Sequence, residues 1–280
     1  MPYTTLISCA DAHHESSTYT RFIDCRFDLM NPDRGEGRYK QDHLPNAIYA
    51  HLDRDLSSPI SPGSGRHPLP AIESLTETFS RWGINSEVQV IVYDDNIGMF
   101  ASRLWWLLRW LGHEKVAVLD GGYLQWKSEG LPLTEALPEI TATNFVPNLQ
   151  ESGIVNADEI VTQKQPRYLL VDARARERYR GDIEPIDPVA GHIPGALNYP
   201  LTDNINTEGK FKERVCLREQ ITSVIGTHEP NEVVHYCGSG VSACHNILAM
   251  EHAGLHGSKL YPGSWSEWIR DTNHKIATGD

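Results

Sequence analysis

The chain is short of positive charge: 25 Lys and Arg stand against 37 Asp and Glu, a formal net charge of −12 over 280 residues. A surface of that sign repels phosphate backbones, and no run of Lys or Arg makes a local exception, so nucleic acid is not an expected partner. Long apolar runs are lacking as well. The most apolar stretch, Leu104-Trp105-Trp106-Leu107-Leu108, is closed by Arg109 and falls far short of the roughly 20 residues a membrane-spanning helix needs. Met1-Pro2-Tyr3-Thr4-Thr5 shows no basic segment leading into an apolar one, and Asp11, His13 and Glu15 follow closely. No secretory leader and no membrane partner are expected, and the cytoplasm is the expected compartment. Five cysteines, at 9, 25, 216, 237 and 244, form no Cys-x-x-Cys pair. Reduced thiols are expected in place of a disulfide framework or structural zinc.

What is present is said twice. Phe22-Ile23-Asp24-Cys25-Arg26 answers to Leu170-Val171-Asp172-Ala173-Arg174, and His43-Leu44-Pro45-Asn46-Ala47 to His192-Ile193-Pro194-Gly195-Ala196. Val90-Ile91-Val92-Tyr93-Asp94 answers to Val233-Val234-His235-Tyr236-Cys237, and the glycine turn ahead of Trp126 to the one ahead of Trp268. Four matches in one order at nearly constant offset mean two copies of one domain. The expected boundaries are 1–137 and 154–280, with the polar, proline-containing stretch 138–153 as linker. Short β-branched runs (Val88 to Tyr93, Val116 to Leu119, Tyr168 to Val171, Glu232 to Tyr236) read as buried strands. Phe100 to Leu111, Ala157 to Gln163 behind Asn156, and Val241 to His252 read as helices. The alternation predicts an α/β fold in each copy, a central parallel sheet with helices on both faces.

Cys237 lies between a predicted strand and a predicted helix, in Cys237-Gly238-Ser239-Gly240-Val241-Ser242-Ala243-Cys244. Amide N–H groups converge at such a junction, small residues let them fold around an anion, and the thiol is acidified into a nucleophile. A tyrosine-phosphatase-like site needs an arginine six residues on, where Ala243 stands, so phosphate chemistry is disfavoured. A cysteine peptidase needs His and Asn or Asp partners; 13 histidines leave that open by count, though strand–loop–helix context and duplication do not suggest it. Sulfur transfer, in which the thiolate carries a sulfane sulfur as a persulfide, needs only a nest of donors.

On these residues the chain resembles the two-domain rhodanese-family sulfurtransferases, from about Phe22 to Arg270, and among them the 3-mercaptopyruvate type. The resemblance implies two tandem rhodanese-like domains. The first is inactive, with Asp94 at the cysteine position, and the second is catalytic through Cys237. It implies a small-molecule sulfur donor, a thiol acceptor such as thioredoxin, a small thiol or cyanide, and no metal or organic cofactor. The Cys-Gly-Ser-Gly-Val loop resembles the mercaptopyruvate type, whereas thiosulfate-type members carry basic residues directly after the cysteine. The resemblance further implies a relay of Ser239, His67 and Asp53, the latter two supplied by the first copy. A relay suits a donor that leaves as an enolate needing a proton. Arg178 and the loop residues Gly238, Gly240, Val241 and Ser242 are the implied substrate contacts. A second arginine expected near Glu184 to Asp187 is missing, and Arg180 is the neighbouring candidate. The donor therefore stays open between 3-mercaptopyruvate, favoured by the loop, and thiosulfate. A non-catalytic persulfide carrier or docking module is the alternative of another class.

Among the remaining residues, Cys244 is expected to pack the helix, with a redox partnership to Cys237 as the alternative reading. Cys9, Cys25 and Cys216 are expected in the core or idle at the surface. Trp105, Trp106 and Trp110 are expected in packing, and His245, His252 and His256 on a helix surface. Asp24 and Asp172 are expected to pair with Arg26 and Arg174.

Overall fold

The computed structural model describes residues 2–15, 17, 19–150, 153–162 and 168–280. The chain forms two compact units. The first comprises Met1–Ser58, Leu69–Gln150 and Glu208–Lys210, the second Pro59–Pro68, Glu151–Thr207 and Phe211–Asp280. The division is thus not a single cut at 138–153, because a ten-residue stretch from the first half of the sequence, 59–68, belongs to the second unit.

The first unit carries strands β1 (Leu6–Ile7), β2 (Thr20–Asp24), β3 (Ile48–Tyr49), β4 (Gln89–Tyr93) and β5 (Val116–Leu119), all parallel, in the order β1-β5-β4-β2-β3. The second carries β6 (Leu169–Asp172), β7 (Leu197–Asn198), β8 (Val233–Tyr236) and β9 (Lys259–Leu260), again parallel, in the order β7-β6-β8-β9. A single parallel bridge from Ile154 to Leu260 takes the place that β1 holds in the first unit. Helices cover the sheets, so the central strands are enclosed: Val90 to Tyr93 and Val233 to Tyr236 are all buried, the His235 imidazole included. Burial on both faces is why these strands read as continuous β-branched runs instead of alternating ones.

Register explains the doubled motifs. Asp24 lies beside Tyr93 at the end of β2 and β4, and Asp172 beside Tyr236 at the end of β6 and β8. Each buried aspartate takes the backbone N–H of the arginine two residues on, at 2.9 Å, and grips its Nε through both carboxylate oxygens. The motif histidines are structural as well. His43 Nδ1 lies 2.7 Å from the Tyr39 carbonyl and His192 Nδ1 2.8 Å from that of Tyr179, each ring stacked on its tyrosine. The tyrosine hydroxyls donate to the carbonyls of Ala47 and Ala196, closing both motifs. Trp126 and Trp268 donate their indole N–H to the carbonyls of Pro132 and Lys275.

Residues 138–150, within the expected linker 138–153, form a strap on the first unit. Their backbone N–H groups donate to Ser80 from Thr143, to Leu111 from Asn148 and to Trp110 from Gln150. Phe145, buried, packs edge-on against Phe79. The helix expected over 157–163 runs from Ala157 to Thr162 behind a reciprocal cap, in which Asn156 accepts from Glu159 N–H and Glu159 from Asn156 N–H; Gln163 lies outside the described residues. His245 is not on a surface: it is buried, its ring stacked on Phe211, because the helix Ala243–His252 is enclosed from Ala243 through Met250. His256 is exposed and pairs with Glu251. Trp105 and Trp106 are buried, and Trp110 stacks on Trp106. No helix among the described residues is long and apolar enough to cross a membrane.

Candidate active site

Strand β8 ends at Tyr236, the chain turns through Cys237–Ser242, and the helix Ala243–His252 begins. The turn is closed by the later segment Tyr261–Ser266. Trp265 and Ser266 donate their N–H groups to the carbonyls of Cys237 and Gly238, and Ser264 Oγ accepts from Cys237 N–H at 3.1 Å while donating to the Tyr261 carbonyl. Ser264 holds a left-handed backbone, φ 55°, unusual for a residue with a side chain. In the first unit the matching position is Gly122, φ 57°, where a β-carbon would lie 2.3 Å from the Asp94 carbonyl oxygen. Gly240 is required for the same reason: φ is 77° and a β-carbon would meet the Pro262 carbonyl oxygen at 2.3 Å.

Cys237 is buried at 1% exposure, with its sulfur facing inward along the turn, where Gly240 N–H reaches Sγ at 3.2 Å. Burial alone raises a thiol pKa, but the Ser242 hydroxyl and the amides of Ser239 and Ala243 outweigh it, and the Cys237 thiol is held below its ordinary value. The contrast with the other buried cysteines is direct. Burial pushes Cys9 up to about 12 and Cys25 well above the ordinary range. Cys244 is buried and turns its thiol to the Gly240 carbonyl, and Cys216 is exposed. The first unit uses the equivalent nest differently. The Asp94 carboxylate fills it, with Oδ1 accepting from the amides of Asn96 and Gly98 and Oδ2 from those of Phe100 and Ala101, at 2.8 to 2.9 Å.

The stretch 59–68 delivers two side chains to the Cys237 turn. His67 Nδ1 lies 2.7 Å from Ser239 Oγ, both buried. Arg66, which sequence reasoning did not single out, is anchored by its own N–H to Ser266 Oγ and by its guanidinium to Asp187. Arg178 lies close by, gripped by the buried Glu184 through Nε and Nη2 at 2.8 to 3.2 Å. Burial, and the like charge of Arg178, draw the Arg66 guanidinium down from its ordinary value, against the pull of Cys237.

One expected residue, Arg180, does not come to the turn. Arg180 is half-exposed and bound to Asp182 and Asp280, so it does not take the place of the missing second arginine. Two residues apart on the helix Arg176–Arg180, it stands about 200° around from Arg178. Asp53 is an exposed residue of the helix Leu52–Asp55 in the first unit, its N–H donating to His51 Nδ1. Val241 is buried and contributes a carbonyl to Cys244 N–H. Gly238 contributes space, while Ala243, absent from the sequence-based set, supplies an amide to the sulfur. The signal for Arg66 was its place beside His67, and the signal for its partners was the acidic pair Glu184 and Asp187 where an arginine was looked for. Among the described residues no cluster of His, Cys, Asp and Glu is arranged to hold a metal ion.

A backbone built twice, with a nucleophile in one copy and a plugged nest in the other, defines the class. The rhodanese-like domain pattern matches residues 8–129 and again 157–271, and the chain belongs to that family. It is 45% identical over 261 residues to the "Probable 3-mercaptopyruvate sulfurtransferase" of Pseudomonas aeruginosa, the match covering 92% of each chain. The "Putative thiosulfate sulfurtransferase SseB" of Mycobacterium tuberculosis is 38% identical over 266 residues, 92% of this chain and 90% of the relative. Among solved structures, the 3-mercaptopyruvate sulfurtransferase from Leishmania major matches with a TM-score of 0.83 at 30% identity, over 95% of this chain and 74% of that one.

Proposed function

We propose that this chain moves the sulfur of 3-mercaptopyruvate, through a persulfide on Cys237, to a thiol such as thioredoxin or to cyanide. The relatives named for that donor support the reading. The observation that carries it is the hydrogen bond between Ser239 Oγ and His67 Nδ1, two residues from the nucleophile. Cys237 thiolate attacks the donor sulfur and forms the S–S bond. The carbon–sulfur bond breaks, its electron pair stays on the departing carbon, and the enolate of pyruvate results. Ser239, backed by His67, hands that carbon a proton and pyruvate leaves. In the second half-reaction the acceptor attacks the outer sulfur and Cys237 leaves as thiolate, which its nest of donors stabilises.

Thiosulfate is the second reading, favoured by the similarity to the Mycobacterium tuberculosis relative. It uses the same nucleophile, but sulfite leaves without needing a proton on carbon. The two readings separate on His67→Ala. The substitution is expected to lower kcat/KM for 3-mercaptopyruvate by about 10²-fold, the usual size of a general acid's contribution, and to leave thiosulfate turnover within a few-fold. Equal losses with both donors would refute the proton-transfer role. Cys237→Ser, the control, is expected to turn over neither donor.

A further inference from the structure

The first unit keeps a cleft beside the turn that answers to the Cys237 turn. It encloses about 280 Å³, with Phe27, Leu29, Met99 and Phe100 as its apolar lining and Arg38 and Asp95 among its charged residues. The duplication shows what has changed there. Arg38 precedes Tyr39 as Arg178 precedes Tyr179, and both tyrosines hold their motif histidines, so Arg38 is the counterpart of Arg178. Asp95 follows Asp94 where Gly238 follows Cys237, and Asp28, also in the lining, stands four residues after Asp24 where Arg176 stands four after Asp172. The first copy has thus kept an arginine, lost the thiol and gained two carboxylates. Asp94 is not available to a ligand, because four amides occupy its oxygens. The turn nevertheless keeps its shape: Ile97 holds φ 53° at the position of Gly240, although a β-branched residue disfavours that region.

Charge and open hydrogen-bonding edges define what fits. Arg38 gives Nη1 to Asp95 Oδ2; among the described residues its Nε and Nη2, and Asp95 Oδ1, make no hydrogen bond. Asp28 is satisfied, with Oδ1 accepting from Met30 N–H and Oδ2 from Arg34. With Arg34 on Asp28 and Arg38 on Asp95, the charges of the cleft balance. Phe27 and Phe100 meet edge to face at 5.5 Å, and Leu29 is exposed. We propose that this cleft binds a small α-amino acid with an apolar side chain, its carboxylate on Arg38, its ammonium on Asp95 and its side chain against the apolar lining. A zwitterion laid beside the Arg38–Asp95 pair makes a second ion pair of opposite sense through charge-assisted hydrogen bonds, and the net charge of the cleft does not change. A keto acid or thiosulfate would bring negative charge to Asp95 with no ammonium to answer it, so anions are rejected by repulsion. The volume lies near the low end of ligand pockets, roughly 300–1,000 Å³, which suits a single amino acid. This site goes beyond sulfur transfer and does not depend on which sulfur donor the second unit uses.

The test uses the full chain and L-methionine, whose thioether neither donates a sulfane sulfur nor attacks a persulfide, so binding is read apart from turnover. Calorimetry compares it with N-acetyl-L-methionine, which has no ammonium, and L-methioninamide, which has no carboxylate. The wild-type protein is expected to bind L-methionine at millimolar concentration or below, and each analogue about tenfold or more weakly. Arg38→Ala is expected to weaken L-methionine binding by about 10- to 100-fold, while kcat and KM for the sulfur donor stay within about twofold. Asp95→Asn removes the partner of the ammonium and leaves Arg38 unbalanced, so the order of L-methionine and N-acetyl-L-methionine is expected to reverse. Arg178→Ala, in the other unit, is expected to leave L-methionine affinity unchanged. No binding to the wild-type protein, or equal affinity for the three ligands, would overturn the proposal. So would L-methionine binding that survives in a folded Arg38→Ala, or that disappears with Arg178→Ala. If Arg38→Ala does not fold by circular dichroism, the same readings on Arg38→Gln decide. An unchanged order of the two ligands in Asp95→Asn would overturn the place given to the ammonium.

Discussion

Removing one hydroxyl from the Cys237 nest has a calculable consequence. The Ser242 side chain is foremost among the groups that favour the thiolate, and it makes no capping hydrogen bond to the helix that starts beside it. Ser242→Ala should therefore leave the helix intact while taking a donor from a buried anion. Hydrogen bonds to charged groups contribute about 1.5–3 kcal/mol, and one pKa unit corresponds to about 1.4 kcal/mol, so the thiol pKa should rise by about 1–2 units. Below both pKa values the thiolate fraction then falls by about 10- to 100-fold. A more basic thiolate is a better nucleophile, with a Brønsted slope near 0.4–0.5, and the net slowing of alkylation near neutral pH is about three- to tenfold. Above both pKa values the order reverses and the variant reacts faster. The assay is the rate of iodoacetamide alkylation of Cys237 against pH, followed by mass. An inflection that stays in place, or the absence of a crossover at high pH, would refute the reasoning.

Gly240→Ala places a β-carbon 2.3 Å from the Pro262 carbonyl oxygen at a φ of 77°. It is expected to destabilise the protein by more than the ~1–3 kcal/mol typical of backbone strain alone, and an unchanged melting temperature would count against the tight turn. Burial holds the His113 imidazole down at about 4 from its ordinary 6.5, so the unfolded chain takes up a proton between those values and the folded one does not. Stability should accordingly be full above pH 6.5 and fall toward pH 4, by about 2 kcal/mol at pH 5 from this residue. His113→Gln should flatten the slope of urea-measured stability over that interval. An identical slope would contradict the assignment.

The elements of both sheets were legible because β4 and β8 are buried along Val90 to Tyr93 and Val233 to Tyr236, and their neighbours β2 and β6 end on the same Asp-x-Arg lock. The nucleophile was legible because Cys237 follows such a strand and precedes a helix. Other features depend on tertiary routing that no local pattern carries. Residues 59–68 look like a polar loop of the first half, yet they pack with the second unit and bring Arg66 to Asp187 and His67 to Ser239. Arg180 was the plausible neighbour of Arg178 in sequence, but helical geometry turns it the other way. His245 reads as polar, while its ring is buried on Phe211 and its Nδ1 lies 3.1 Å from Asn204 Nδ2. Residues 138–150 have no periodicity because the backbone N–H groups of Thr143, Asn148 and Gln150 go to the ends of two helices.

The most direct measurement is kcat/KM for 3-mercaptopyruvate and for thiosulfate, side by side on the wild-type protein, with cyanide as common acceptor. The Ser239–His67 pair predicts a preference for 3-mercaptopyruvate of about a hundredfold, or about 2.7 kcal/mol in transition-state binding. Equal efficiencies, or a preference for thiosulfate, would contradict it.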